Sequence, residues 1–347
     1  MPTFQRLLDE LNKLPQPEKQ VEYIDSFRKQ KIKEIKEITK RDVLVYFSDL
    51  KKNHPAGAIT WDDKTCFADI VEGLDKNGVD VIIHSPGGSA EATQSIVCML
   101  REHFDNIRFI VPNMAKSAAT MMVLSGDEIL MDDRSELGPI DPQIQINGNF
   151  VPAQTLIDGF EEAKKVISEA GTDILPAYLP LLNKYDLHIL QICENAKKLS
   201  EELVKDWLTK YMFKGDAKAA EKADGIAKNL ADHKKWLSHG RPIGINEAKT
   251  IGIKVSDLRE NMPLREKVWE LYCVLEILLD RSPIIKLYEN SNGVFLVKNI
   301  PFQQKFLPPN PLPFCPPERS VWRAKRAVSS VQNRFGFRQT NAPYRIY

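Results

Sequence analysis

Apolar positions recur at helical spacing over residues 3 to 38. Phe4, Leu7, Leu8 and Leu11 share one face, LPQPEKQ interrupts it, and Tyr23, Ile24 and Phe27 resume it before the charged run RKQKIKEIKEI. The spacing predicts a helical segment ahead of the core. DVLVYFSDL (42–50) then reads as the first strand, TCFADIVEGL as a helix closed by Gly73 or Gly78, and VDVIIHS as a buried strand. Beyond a Pro-Gly-Gly break, SAEATQSIVCMLREHF sets Ala92, Ile96, Met99, Leu100 and Phe104 on one helical face. The strand IRFIVPN, the short helix SAATMMVLSG and the strand EILMD follow. PIDPQIQINGNFVPA then reads as a loop and hairpin around Asn147-Gly148. Strand and helix alternate, which predicts an α/β fold with parallel pairing.

From Gln154 to about Trp236 the pattern is helical, ending at HGRPIGINEAKTIGIKVSDL, and a further helix is expected over 264–280. Beyond Pro283 the proline-dense FLPPNPLPFCPPERS reads as extended or disordered. No internal repeat is found.

A chain of 347 residues is long for a single core, so one large domain with extensions, or two domains, is expected. No run of eighteen apolar residues occurs, and MPTFQRLLDELNKLPQPEK is amphipathic and charged rather than a signal peptide, which places the protein in the cytoplasm. Cys66, Cys98, Cys193, Cys273 and Cys315 are scattered, with no CxxC pair, and read as reduced thiols; no metal site and no cofactor are expected. The net charge of +1 hides an asymmetry, because residues 283–347 carry about +8 and the remainder about −7. A basic tail suits nucleic acid or acidic partners, but the aromatic-basic motifs of a known module are missing, so a solvated tail is expected and nucleic acid is not.

Two stretches carry candidate chemistry. In HSPGG the paired glycines end a strand where a helix begins, so backbone N–H groups can approach a ligand with no Cβ in the way and with the helix N-terminus behind them. An anion, or an oxygen gaining negative charge, would be stabilised there. Neither phosphate-loop nor dinucleotide fingerprint is present, and a plain tight turn is the alternative. In PNMAKSAATMMVLSG, Ser117 follows a strand and opens a helix, which suits a nucleophile with the Ala118 N–H beside it. A helix N-cap is the alternative.

The order HSPGG, AKSAAT, EILMDDRSELGPIDPQ and GRPIGINEAKTIGIKVSD resembles the serine dehydrogenase proteinases, a branch of the Clp protease and signal peptide peptidase A group on the ClpP/crotonase fold, from about Arg41 to Asp257. The resemblance implies repeated β-β-α units and a peptidase domain at 41–260; the patterning above adds a helical N-terminal arm at 1–40, a C-terminal helix at 261–282 and a flexible proline-rich basic tail at 283–347. It also implies a serine peptidase acting on polypeptide, commonly as a homo-oligomer. Ser117 matches its nucleophile, while Gly88, with Gly87 before it, and Ala118 match the oxyanion hole. The 29 residues from Gly88 to Ser117 suit one helix plus one strand.

The base departs from the pattern. Where Clp peptidases have a histidine downstream of the serine, this chain has GPIDPQ, so Asp141 stands in that place to orient or replace the base, a loop-capping aspartate being the alternative. Signal peptide peptidase A resembles a Ser-Lys dyad, in which a desolvated lysine takes the proton. Lys184 in LLNKYDLHIL is the preferred match, an exposed cation being the alternative; Lys164 and Lys165 read as a solvated helix face. Lys116 is expected to point away from Ser117, His84 to pack in its strand, and Asp186 with His188 to share a helix by chance. Two other readings stay open: a crotonase-type acyl-CoA enzyme, for which Asp141 would be the carboxylate, and a non-catalytic scaffold that binds partners through the arm and tail. Serine dehydrogenation finds no nucleotide fingerprint and no lysine in a pyridoxal phosphate context.

Overall fold

In the computed structural model the described residues are 3–146, 148–171, 174–183 and 187–300, with the backbone of 344–346. Helices α1 (Thr3–Asn12) and α2 (Pro17–Thr39) come first; Pro17 at the start of α2 lacks only an N–H that the first turn would leave unpaired. Lys40, at φ 58°, closes α2 in the left-handed conformation with its N–H on Lys36 O at 2.8 Å. The alternating region follows as β1 (Asp42–Ser48), α3 (Trp61–Val71), β2 (Val79–His84), α4 (Ala90–His103), β3 (Ile107–Ile110), β4 (Met114–Ala115), α5 (Ala118–Leu124), β5 (Glu128–Met131) and β6 (Glu136–Leu137). The hairpin β7 (Gln143–Ile146) and β8 (Asn149–Pro152) turns at Gly148, φ 84°, while Asn147 lies outside the described residues. The rest is α6 (Ala153–Ala170), α7 (Leu175–Leu182), α8 (Leu187–Trp207), α9 (Ala219–Ala231), α10 (His233–Trp236), α11 (Ile245–Ile251), β9 (Val255–Asp257), α12 (Met262–Asp280), β10 (Ile284–Asn290), β11 (Phe295–Asn299) and β12 (Tyr344–Ile346).

Eight strands form the main sheet in the order β12-β11-β10-β1-β2-β3-β5-β9. The run β1-β2-β3-β5-β9 is parallel, in register through Val45↔Ile82, Val81↔Phe109 and Ile129↔Val255, as the alternation predicts. On β1 the side chains alternate between two cores. Leu44 and Tyr46 join Val81, Ile83, Phe109 and Ile129 beneath the helices of the middle of the chain. Val43, Val45 and Phe47 join Ile82, Ile110 and Leu130 against α1, α2 and α12. Each such side chain, fully buried, contributes about 1.5–3 kcal/mol.

Two expectations about organisation change. The N-terminal segment is no projecting arm: Leu7, Leu11, Ile24, Ile32 and Ile35 are buried in the second core, so it forms a layer of the domain together with α12. The segment after Pro283 does not begin as a tail, because β10 pairs antiparallel with β1 (Tyr46↔Tyr288) and β11 with β10 (Leu287↔Val297). The proline-dense stretch and Cys315 lie outside the described residues. Among the described residues Cys66, Cys98, Cys193 and Cys273 form no disulfide, no cluster of three His, Cys, Asp or Glu could hold a metal, and no helix is long and apolar enough to cross a membrane.

Candidate active site

Both candidate stretches leave the carboxyl ends of adjacent parallel strands, β2 and β3, where open α/β sheets form their crevices. They converge through short backbone pairings. Ser85 N–H donates to Met114 O at 3.1 Å and Lys116 N–H to Ser85 O at 3.0 Å. Across the other edge, Ile59 N–H donates to Gly87 O at 2.7 Å and Ser89 N–H to Ile59 O at 3.0 Å, so Gly88 runs beside Ile59 like a strand residue. That pairing directs the Gly88 N–H away from Ile59. Among the described residues neither the Gly88 nor the Ala118 N–H donates to a protein acceptor.

The glycines are demanded by crowding. A Cβ on Gly88 would stand 2.3 Å from both N and O of Ile59. On Gly87, at φ 93°, it would stand 2.5 Å from Lys116 O, 2.8 Å from Ser117 Cβ and 3.0 Å from Ala118 N. Gly87 and the serine loop are therefore in van der Waals contact.

Ser89 and Ser117 both precede helices but differ in kind. Ser89 caps α4, its Oγ accepting from Ala92 N–H at 3.0 Å. Ser117 makes no capping bond and is held at φ 52°, ψ −123°, strained for a residue with a side chain.

Ser117, Ala118, Gly87 and Gly88 line one groove of about 780 Å³. Its wall is largely apolar, through Met121, Ile140, Ile144 and Leu199, with exposed Phe150 and Ile192 among its lining residues. The titratable side chains of the lining are Glu91, which accepts from Ser89 Oγ at 2.8 Å, and His239.

Asp141 does not face the groove as a free carboxylate. It is 2 % exposed and accepts from three side chains: His239 Nδ1 at 2.7 Å, His233 Nδ1 at 3.0 Å and Gln143 Nε2 at 2.9 Å. The bridge Leu137↔Ile243, with N–H···O bonds of 2.9 and 3.0 Å, lays the GRPIG loop against GPIDPQ and so brings His239 to Asp141. Sequence reasoning missed His239 because it looked for a histidine close behind Ser117, whereas this one comes 122 residues later. The only signal in the chain was its place in the late segment HGRPIGINEAKTIGI.

Lys184 and Asp186 lie outside the described residues. Lys164 is exposed and paired with Glu161 at 2.9 Å. Lys116 is turned away from the groove, its Nζ on Glu136 at 2.8 Å and on Leu137 O at 3.0 Å. His84 is packed on the opposite core between Phe47 and Tyr272, with ring centroids 4.6 and 5.3 Å away. Burial there pushes its imidazole down to about 3, only partly offset by Asp49.

The chain matches two proteins of Methanocaldococcus jannaschii, uncharacterized protein MJ1495 at 34 % identity over 193 residues and uncharacterized protein MJ0137 at 32 % over 199. These alignments cover 56 and 57 % of this chain and 55 and 58 % of the relatives, so the match spans little more than half of either. Among solved structures it is similar to a mutant of the 1510-N membrane-bound stomatin-specific protease, at 16 % identity and TM-score 0.36 over 61 % of this chain and 80 % of that one. It is also similar to a ClpP1 mutant from Listeria monocytogenes, at 14 % and 0.32 over 64 and 94 %. The model of the ClpP-like SDH-type serine proteinases matches residues 59–287, a span that holds both glycines, Ser117, Asp141 and His239, and the chain belongs to that family.

Proposed function

We propose that this protein is a serine peptidase that cleaves polypeptide by acyl transfer, with Ser117 as nucleophile and the N–H groups of Gly88 and Ala118 as the oxyanion hole. The observation that carries the reading is Ser117 itself: a strained serine whose hydroxyl caps nothing, opening a helix in contact with a glycine pair and lining an apolar groove. The attacking oxygen would add to a carbonyl carbon while two uncommitted amides receive the charge that develops on the carbonyl oxygen. An apolar groove suits an extended peptide with apolar side chains. Assembly as a homo-oligomer belongs to the same reading.

The acyl-CoA alternative is weakened by Asp141. A carboxylate 2 % exposed and engaged by three donors is not free to exchange a proton with a thioester.

The test is covalent labelling with a fluorophosphonate probe. The expected result is one labelled residue, lost on Ser117→Ala with the thermal unfolding midpoint unchanged. Undiminished labelling of Ser117→Ala refutes the assignment.

A further inference from the structure

The nucleophile needs a proton acceptor, and the identity of that acceptor rests on the acyl-transfer reading of Ser117. Asp141 offers two oxygens to three donors: His239 on Oδ1, His233 and Gln143 on Oδ2. A carboxylate accepts and does not donate, so each ring nitrogen facing it carries its hydrogen, and the lone pair of a neutral ring held this way sits on Nε2. Of the two rings His239 lines the Ser117 groove, with 26 % of its side chain exposed. Among the described residues His239 is the basic side chain that lines the groove, and Lys116, beside Ser117 in sequence, is committed to Glu136.

We infer that His239 is the general base, that Asp141 positions it, and that His233 and Gln143 hold Asp141 in turn. In the first step the Ser117 Oγ–H proton passes to His239 Nε2 as the Oγ–C bond forms and the carbonyl π pair moves onto oxygen, facing the Gly88 and Ala118 amides. As the intermediate collapses, the C–N bond breaks and the same proton is delivered to the leaving amine. Water then repeats the sequence on the ester, giving its proton to His239 and returning Ser117 with its hydrogen. Asp141 remains ionised and holds the ring by Nδ1–H. The arrangement needs no lysine.

The test measures the rate of fluorophosphonate labelling in the full-length protein. His239→Ala is expected to slow it by about 10²–10⁴-fold, with partial recovery in added imidazole, which a merely structural role would not give. Asp141→Asn is expected to slow labelling comparably by favouring the wrong tautomer, with Asp141→Glu recovering part of the loss; His239→Gln, at a partly exposed site, covers the case in which Asp141 variants fold poorly. Labelling of His239→Ala at the wild-type rate overturns the assignment while leaving the peptidase reading intact, since that reading fails only if Ser117→Ala still labels. Loss of labelling on Lys184→Ala with His239→Ala unaffected likewise overturns it in favour of a Ser-Lys dyad.

Discussion

His84 makes a quantitative prediction about acid stability. It ends β2, two residues before the Pro-Gly-Gly turn, and is 2 % exposed between Phe47 and Tyr272. Its Nε2 lies 3.8 Å from Glu276 Oε1, Met114 N–H approaches Nδ1 at 3.4 Å, and Asp49 and Lys51 supply opposing longer-range effects. Burial dominates and lowers the folded-state value from 6.5 to about 3. As pH falls through 6.5 the unfolded chain takes up a proton that the folded one refuses, so stability is complete above that value and drains away until the folded ring titrates near 3. At pH 5 the unfolded imidazole is about 97 % protonated, which amounts to about 2 kcal/mol lost relative to pH 7.5. The perturbation is His84→Phe, which keeps an aromatic ring but cannot titrate. Urea unfolding followed by tryptophan fluorescence at pH 7.5 and 5.0 gives two stabilities for each protein. The wild type should lose about 2 kcal/mol more than the variant over that interval; contributions from other groups cancel in the comparison, as does any cost of losing the Met114 acceptor. A difference between the two losses below about 0.5 kcal/mol would refute the claim that this ring is kept neutral by its surroundings.

Gly87→Ala puts a methyl group 2.5 Å from Lys116 O and 2.8 Å from Ser117 Cβ at a φ of 93°. It should cost about 1–3 kcal/mol of stability in urea and slow fluorophosphonate labelling by about 10²-fold through displacement of the serine loop; labelling at the wild-type rate would contradict the contact. Lys286→Met leaves Asp63 buried at 0 % exposure without its ammonium partner, which sits at 2.7 Å. The expected loss is about 3–5 kcal/mol in urea, with Asp63→Asn in the same chain recovering part of it, and an unchanged midpoint for Lys286→Met would show that the pair is dispensable.

The strands and helices from Asp42 to Met131 were legible because each buries whole faces, and the period of apolar residues reports the period of the backbone. The glycine pair and Ser117 were legible for a related reason: close approach and a strained turn are local demands, and small residues at a strand end advertise them. β10 was not. In IIKLYEN both charged pairs point into the protein, Lys286 to Asp63 and Glu289 to Arg28, partners that stand more than two hundred residues earlier. Burial of charge breaks the hydrophobic pattern, so the segment passed for the start of the basic tail. His239 was hidden differently. No local property of SHGRPIG marks it, and it is the long-range Leu137↔Ile243 pairing that carries it to Asp141.

The strand that the sequence hid also reaches the site. Lys286 Nζ, between the two oxygens of Asp63, donates to Ala58 O as well, and Thr60 N–H donates to Asp63 Oδ2 at 2.9 Å. Tyr46 and Tyr288 hydroxyls close the same carboxylate from the sheet, Tyr46 at 3.1 Å. Ala58 and Thr60 are thus fixed from below on either side of Ile59, the residue whose N–H and C=O grip Gly87 and Ser89. An oxyanion donor acts through a fixed direction, and a glycine pair free of side chains has no rigidity of its own. In the proposed peptidase, then, the direction of the Gly88 amide would depend on the buried ion pair between Lys286 of β10 and Asp63 of α3. The same physical fact, a lysine placed inward, made that strand unreadable in the sequence and ties it to the Ala58–Thr60 backbone that lines the groove.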